Sequence, residues 1–351
     1  MRIALDATYS VDPYPSGIAV YSREILDGLA AAHPGDRFLH CYRPKQFRKV
    51  RRHRMPNVRR RLLLPPFSTF EADIFHALNQ RIDRRPAKKV VTTFHDLFVM
   101  TAEYSTPEFR MRFSQQARQA AANSDFIIAV SEFTAGQVNE LLNVPRSRIR
   151  VIPHGVRTPE VASNSAREKI ILFVGTLQVR KNVARLVRAF EALPKEWQLI
   201  LAGSPHGFGA ETIVQQIESS PCRDRIRTTG YISRTDLSHL YARASIFAFP
   251  SLGEGFGMPV LEAMAHGLPV ITSKDTALAE VAGGAAFLVD PCQTAEIEHA
   301  LTSLIKDAEI RNRLIALGRH RAASFRWERT VAETYGVYFE MTANGTADCS
   351  L

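Results

Sequence analysis

Short apolar runs alternate with longer stretches of helical period along the chain, the pattern of α/β units wound around parallel sheets. In the first half, runs at residues 2–7, 37–42, 73–77, 89–94, 126–130 and 150–152 predict strands, and residues 17–32, 107–123 and 132–142 predict helices. Residues 153–167 carry Pro153, Gly155 and Pro159 and lose all periodicity, so they read as a linker. The pattern then restarts, with strands predicted at 170–174, 198–202, 226–229, 246–249, 269–272 and 286–289. The helices between them are amphipathic, and Val183, Leu186, Val187 and Phe190 share one face. From 295 to about 342 the period is helical, with a break between Phe325 and Arg326.

This predicts an α/β chain with two Rossmann-like, doubly wound parallel-sheet domains facing a central cleft, residues 1–165 and 166–325. Residues 326–351 are expected to form a C-terminal helix packing back across the junction. Ligands of such sheets sit beyond the carboxyl ends of the strands. The loops after Ala7, Phe94, Val174, Ala202 and Pro250 are therefore where functional residues are expected.

Composition agrees with two ordinary globular domains: 351 residues, 45% hydrophobic and 23% charged. Cys41, Cys222, Cys292 and Cys349 form no C-x-x-C pair, so free thiols are expected rather than disulfides or a zinc site. Asp6 interrupts the first apolar run before it becomes a signal-peptide core. No run approaches the roughly 18 apolar residues of a membrane span, and a cytoplasmic location is expected. The net charge of +10 lies wholly in residues 1–165, and residues 43–61 hold ten Lys and Arg with no acid.

The most informative segment is FPSLGEGFGMPVLEAMAHGLPVI, residues 249–271. A strand ends at Pro250, and a turn with Gly253, Gly255 and Gly257 follows. Pro259 stands where a helix starts, and Gly267 where it ends. Amides at Gly255–Met258 would then point into the strand-end region with a helix dipole behind them, a site for anions or sugar hydroxyls. Glu254 and Glu262 flank this site with seven residues between them.

E-G-F-G-M-P-V-L-E resembles the signature of the retaining nucleotide-sugar glycosyltransferases of family 4, whose two-domain fold is called GT-B. The resemblance implies that Glu254 binds a hydroxyl of the transferred sugar and Glu262 accepts from the ribose hydroxyls. It places the amides of Phe256, Gly257 and Met258 on the sugar and the distal phosphate.

In ILFVGTLQVRKN, residues 171–182, a buried strand runs into Gly175 and Thr176, and Arg180 and Lys181 stand at the loop's end. Adjacent cations at a helix start suit a diphosphate. The resemblance implies that they neutralise the departing nucleotide diphosphate, so that no metal or other cofactor is needed. In TTFHDLF, His95 and Asp96 follow a strand. Relatives carry a histidine here against the donor sugar. Asp96 is expected to orient His95 or bind acceptor.

Ser16-Gly17 stands where many relatives have a glycine pair close to the diphosphate and acceptor. LAGS, with Gly203, and TGYIS, with Tyr231 and Ile232, fall where the nucleotide base usually packs.

The expected activity is retaining, metal-independent hexosyl transfer from a nucleotide-sugar donor to a glycan or lipid-diphosphate-linked acceptor in polysaccharide or lipopolysaccharide synthesis. GDP-mannose is the expected donor, because TTFHDLF and GTLQVRKN are worded most like bacterial mannosyltransferases of polysaccharide assembly. UDP-glucose, UDP-N-acetylglucosamine and dTDP-rhamnose stay open. Arg48, Lys49, Arg51, Arg52, Arg54, Arg59, Arg60 and Arg61, followed by LLLPPF, suit peripheral contact with the anionic cytoplasmic face of the inner membrane.

A nucleic-acid binder would explain the basic run but not the two glutamates, and no aromatics interleave the arginines. A nicotinamide oxidoreductase would need G-x-G-x-x-G after the first strand, which reads DATYSVDPYPSG. A phosphorylase or a non-catalytic GT-B scaffold is the remaining rival, and the intact set of acids and cations argues against a dead copy.

Overall fold

The computed structural model describes residues 1–12, 16–50, 55–64, 71–157, 159 and 167–343. The chain divides into two compact units: Met1–Gly155 with the chain from Arg326 onward, and Val156–Phe325.

In the N-terminal unit the strands are β1 (Arg2–Asp6), β2 (Arg37–Tyr42), β3 (Val58–Leu62), β4 (Ile74–Ala77), β5 (Lys89–Phe94), β6 (Phe126–Ala129) and β7 (Ile149–Val151). They form one sheet of order β3-β2-β1-β4-β5-β6-β7, every pair parallel. Helices α1 (Gly17–Ala32), α2 (Pro44–Phe47), α3 (Phe98–Thr101), α4 (Pro107–Asn123) and α5 (Glu132–Leu142) connect them.

In the C-terminal unit the strands are β8 (Ile170–Val174), β9 (Gln198–Ala202), β10 (Ile226–Gly230), β11 (Ile246–Phe249), β12 (Val270–Ser273) and β13 (Phe287–Val289). Their order is β10-β9-β8-β11-β12-β13, again all parallel. The helices are α6 (Val183–Glu191), α7 (Ala210–Ser219), α8 (Arg234–Arg243), α9 (Met258–Ala265), α10 (Ala277–Ala282), α11 (Thr294–Lys306) and α12 (Ala308–Ala323). The last helix, α13 (Trp327–Ala343), belongs to the N-terminal unit.

Both sheets are doubly wound. In each, the winding reverses beside the first strand of the unit, between β1 and β4 and between β8 and β11, and chains leaving those neighbours diverge to opposite faces. The central strands of the C-terminal sheet are apolar because helices cover both faces; Ile170–Phe173 and Ile246–Phe249 are buried.

Strand β3 was not expected from the sequence. VRRRL pairs parallel with β2 from Val58 to Leu62 and forms the edge of the sheet. An edge strand tolerates this composition because alternate side chains reach solvent: Arg59 and Arg61 are exposed. Arg60 is turned inward, bonded to the Val50 carbonyl, with its guanidinium 5.3 Å from the Phe47 ring centroid. One of its five donors is thus used within the protein, and the side chain is half-buried. Arg48 and Lys49 are exposed, while Arg51, Arg52, Arg54 and Cys349 lie outside the described residues.

Helix α13 is held to the N-terminal unit by polar as well as apolar contacts. A chain of bonds runs from Tyr21 Oη to Thr93 Oγ1 (2.9 Å), on to His76 Nε2 (2.8 Å), and from His76 Nδ1 to Tyr338 Oη (2.5 Å). Tyr335 stacks on His33 and donates to Asp36 at 2.6 Å.

Candidate functional site

The adjacency of β8 and β11 decides what the C-terminal unit can bind. The segments leaving these two strands start side by side, and they carry Arg180 and Lys181 on one and Ser251, Gly253 and Glu254 on the other. Residues Val179–Lys181 make one tight turn, and Asn182, in the left-handed region at φ 59°, starts α6. Asn182 Nδ2 donates to the carbonyls of Pro250 (2.9 Å) and Pro291 (2.7 Å), fixing the turn against the β11 segment.

Glu254 Oε1 accepts from Ser251 Oγ at 2.8 Å and pairs with Lys181 Nζ at 2.6 Å and Arg180 Nη1 at 2.7 Å. Arg180 also donates to the Gly253 carbonyl, and its own carbonyl accepts from Leu252 N–H. The Lys181 ammonium lies 4.7 Å from the Phe249 ring centroid. Side-chain exposures are 8% for Arg180, 12% for Lys181 and 11% for Glu254, so water screens the cluster little. Burial pushes the Glu254 carboxyl up, but the fields of Arg180 and Lys181 and the bonds from Lys181 and Ser251 outweigh it and hold it at about 2. Two cations against one carboxylate leave the cluster net positive.

The glycine turn then reaches α9. Gly257 stands at φ 105°, and a Cβ there would come 2.3 Å from Leu278 Cδ2, so both conformation and space call for glycine. Pro259 sits in the first turn. Among the described residues, the Gly257 and Met258 amides meet no acceptor. Phe256 is buried and packs edge-on against Phe325.

Glu262 lies further along α9 in a separate cluster. Its Oε2 accepts from the buried Tyr241 hydroxyl at 3.0 Å, and its Oε1 accepts from no described residue. Tyr241 stacks on His266, which is bonded to Ser238. Burial raises the Glu262 carboxyl to about 7, against the lowering effect of the Tyr241 bond.

The remaining candidates of this unit sit at neighbouring strand ends. Gly175 and Thr176 follow β8 and are half-buried. Gly203 N–H donates to the Gly230 carbonyl at 3.0 Å, joining the ends of β9 and β10. Tyr231 is 45% exposed beyond β10, with Ile232 half-buried beside it.

In the N-terminal unit, His95 ends β5 and is buried. Its Nε2 bonds the Leu78 carbonyl at 2.9 Å. A carbonyl only accepts, so Nε2 carries the proton and Nδ1 presents a lone pair. Burial lowers its pKa to about 4, with the Leu78 bond acting the other way. Tyr21 meets the ring edge-on at 4.9 Å and His154 stacks on it at 5.4 Å. Trp327 lies 5.9 Å from His154. Asp96 is half-buried beside His95. Ser16 is the N-cap of α1, its side chain accepting from Ala19 N–H at 3.4 Å, with Gly17 exposed after it. The cap gives Ser16 a reason to be serine.

Sequence reasoning did not single out Ser251, Tyr241 or His154 with Trp327 as parts of these clusters. Tyr241 and His154 have partners remote in sequence, and Ser251, only three residues from Glu254, is one of many serines in loops.

Residues 158–321 match the family profile described as glycosyl transferases group 1, and residues 15–160 match glycosyltransferase family 4. The O-antigen chain mannosyltransferase B of Escherichia coli is 31% identical over 282 residues, covering 76% of this chain and 74% of that protein. The chain belongs to glycosyltransferase family 4. Among solved structures, sucrose-phosphate synthase of Thermosynechococcus elongatus superposes with a TM-score of 0.79 at 20% identity, over 98% of this chain and 100% of the other. Anabaena HepE in complex with UDP-glucose superposes with a TM-score of 0.73 at 18% identity, over 96% and 100%. The fold of this family 4 glycosyltransferase is therefore GT-B, with both units Rossmann-like.

Proposed function

We propose that this glycosyltransferase moves mannose from GDP-mannose to a glycan or lipid-diphosphate-linked acceptor in polysaccharide or lipopolysaccharide synthesis, with retention and without a metal. The net-positive cluster of Arg180, Lys181 and Glu254 where the β8 and β11 segments start carries the reading. The E. coli O-antigen mannosyltransferase supports the choice of mannose. The HepE complex supports a nucleotide-sugar donor and keeps a UDP-sugar as the second reading.

In the proposed reaction the sugar C1–O bond to the distal phosphate breaks, and the acceptor hydroxyl adds to C1 from the same face. The hydroxyl proton passes to the departing phosphate oxygen. Arg180, Lys181 and the amides of Gly257 and Met258 stabilise the charge growing on that phosphate. Glu254 positions the sugar, Glu262 Oε1 accepts from a ribose hydroxyl, and His95 Nδ1 accepts from a sugar hydroxyl. Purified protein with GDP-mannose and a chelator should give product whose anomeric proton matches the donor's configuration. Inverted product, or full dependence on added metal, would sink the mechanism. Thermal shifts with GDP, UDP and dTDP rank the donors.

No helix among the described residues is long and apolar enough to cross a membrane. Peripheral contact with an anionic cytoplasmic membrane face is proposed for Arg48, Lys49, Arg59 and Arg61, beside the exposed Leu62 and Leu64. Flotation with anionic but not neutral vesicles is expected; equal binding to both refutes the contact.

A further inference from the structure

Strand β1 pairs with both β2 and β4, so the ends of these three strands lie side by side in the N-terminal unit. The chain beyond each brings polar groups that no described residue satisfies. Asp6, at the end of β1, is 1% exposed; its Oδ1 accepts from Thr8 N–H at 3.0 Å, while its equally buried Oδ2 has no partner among the described residues. Arg43, just beyond β2, donates its backbone N–H to Thr8 Oγ1 at 3.4 Å, and its buried Nε–H meets no acceptor among the described residues. Gln80, beyond β4, is buried, and its Oε1 accepts from no described residue. The Tyr9 hydroxyl lies buried beside Asn79 without completing a bond, and the Arg81 guanidinium lies 5.8 Å from the Tyr9 ring centroid. Burial raises the Asp6 carboxyl, and the Thr8 bonds and the fields of Arg43 and Arg81 act the other way.

Buried polar groups are hydrogen-bonded in nine cases of ten or more, so a group of orphans at neighbouring strand ends calls for a ligand. Their chemistry narrows it. Asp6 Oδ2 and Gln80 Oε1 need a donor, whereas Arg43 Nε–H needs an acceptor. A bare phosphate oxygen satisfies only the arginine and offers no donor to Gln80 Oε1. Vicinal hydroxyls, which both donate and accept, satisfy all three.

We propose that Asp6, Arg43 and Gln80 form the subsite that grips the terminal sugar ring of the acceptor, with Tyr9 and Arg81 at its rim. This rests on the reading of the chain as a sugar transferase and adds to it the residues that select the acceptor.

The test is a titration of the full chain, without nucleotide, with the methyl α-glycosides of mannose, glucose, galactose and N-acetylglucosamine, read by amide hydrogen exchange. At least one glycoside should protect both the segment holding Asp6 and the segment holding Gln80. Asp6→Asn and Gln80→Leu should weaken that protection about tenfold each, while nucleoside-diphosphate affinity stays within twofold. Protection by none of the four, or protection unchanged in both variants, overturns the proposal and leaves these groups to ordered water. Should the variants fail to fold, protection of the unaltered protein decides alone. Loss of nucleoside-diphosphate binding by the unaltered protein would refute the donor reading instead, and the glycoside result would still stand.

Discussion

Glu254 Oε1 stands 2.6 Å from Lys181 Nζ and 2.7 Å from Arg180 Nη1, so a single carboxylate oxygen holds both cations that follow β8. Removing the carboxylate leaves two neighbouring charges buried without their partner, at a cost of about 3–5 kcal/mol. Glu254→Ala should therefore lower the melting temperature as well as abolish transfer. Arg180→Ala and Lys181→Ala leave the carboxylate one cation each and should reduce turnover by about 10²–10³-fold. Near-normal transfer by the double variant would remove the diphosphate assignment.

Stability should depend on pH through Glu262. Its folded carboxyl is raised to about 7 from the ordinary 4.5, chiefly by burial. The folded chain then keeps a proton that the unfolded chain has released, so this stability is fully present below 4.5 and is lost as pH rises through about 7. Between about pH 5 and pH 8 the loss should be about 2 kcal/mol, reduced from the full shift because the side chain is partly exposed. Urea titrations should show this slope in the unaltered protein and not in Glu262→Gln. Equal slopes would mean that Glu262 is not the group.

His95 should remain neutral, because burial holds it near 4. The pH–rate profile should carry no limb belonging to a histidine at its ordinary value of about 6.5. His95→Ala should lower turnover about 10²-fold by deleting the Nδ1 acceptor. A limb near 6.5 that vanishes in His95→Asn would contradict the tautomer argument.

A methyl group on Gly155 would lie 2.3 Å from the backbone nitrogen of Trp327 and 2.6 Å from its ring. Neither the helix start nor the indole gives way cheaply. Gly155→Ala should cost about 1–3 kcal/mol and lower the thermal midpoint, without changing nucleoside-diphosphate affinity. An unchanged midpoint would mean that the Trp327 end of α13 is loose.

Much of this architecture was legible because buried parallel strands are apolar on both faces: IILFV and IFAF announce β8 and β11 without help. VRRRL does not, since an edge strand needs no such run, and only its pairing with β2 reveals it. The site was legible in the same partial way. Arg180, Lys181 and Glu254 stood out by their places after strands. Their mutual grip depends on β8 lying next to β11, and strand order is not written in either segment. The bond from Tyr241 to Glu262 was invisible, because a tyrosine on an amphipathic helix looks the same whether it fills space or holds an acid.

The N-terminal unit begins at the first residue and is completed by the last helix, with the whole of the other unit interposed. On the ribosome, α1 and the Tyr21–Thr93–His76 relay emerge long before Tyr338, which closes the relay. The half of the protein made first is therefore finished last, and the continuous segment Val156–Phe325 can complete its own core while the other half still waits. A chain cut short after Phe325 should expose the apolar face of α1 and become a substrate for chaperones or proteases, although Arg180, Lys181 and Glu254 are all present in it.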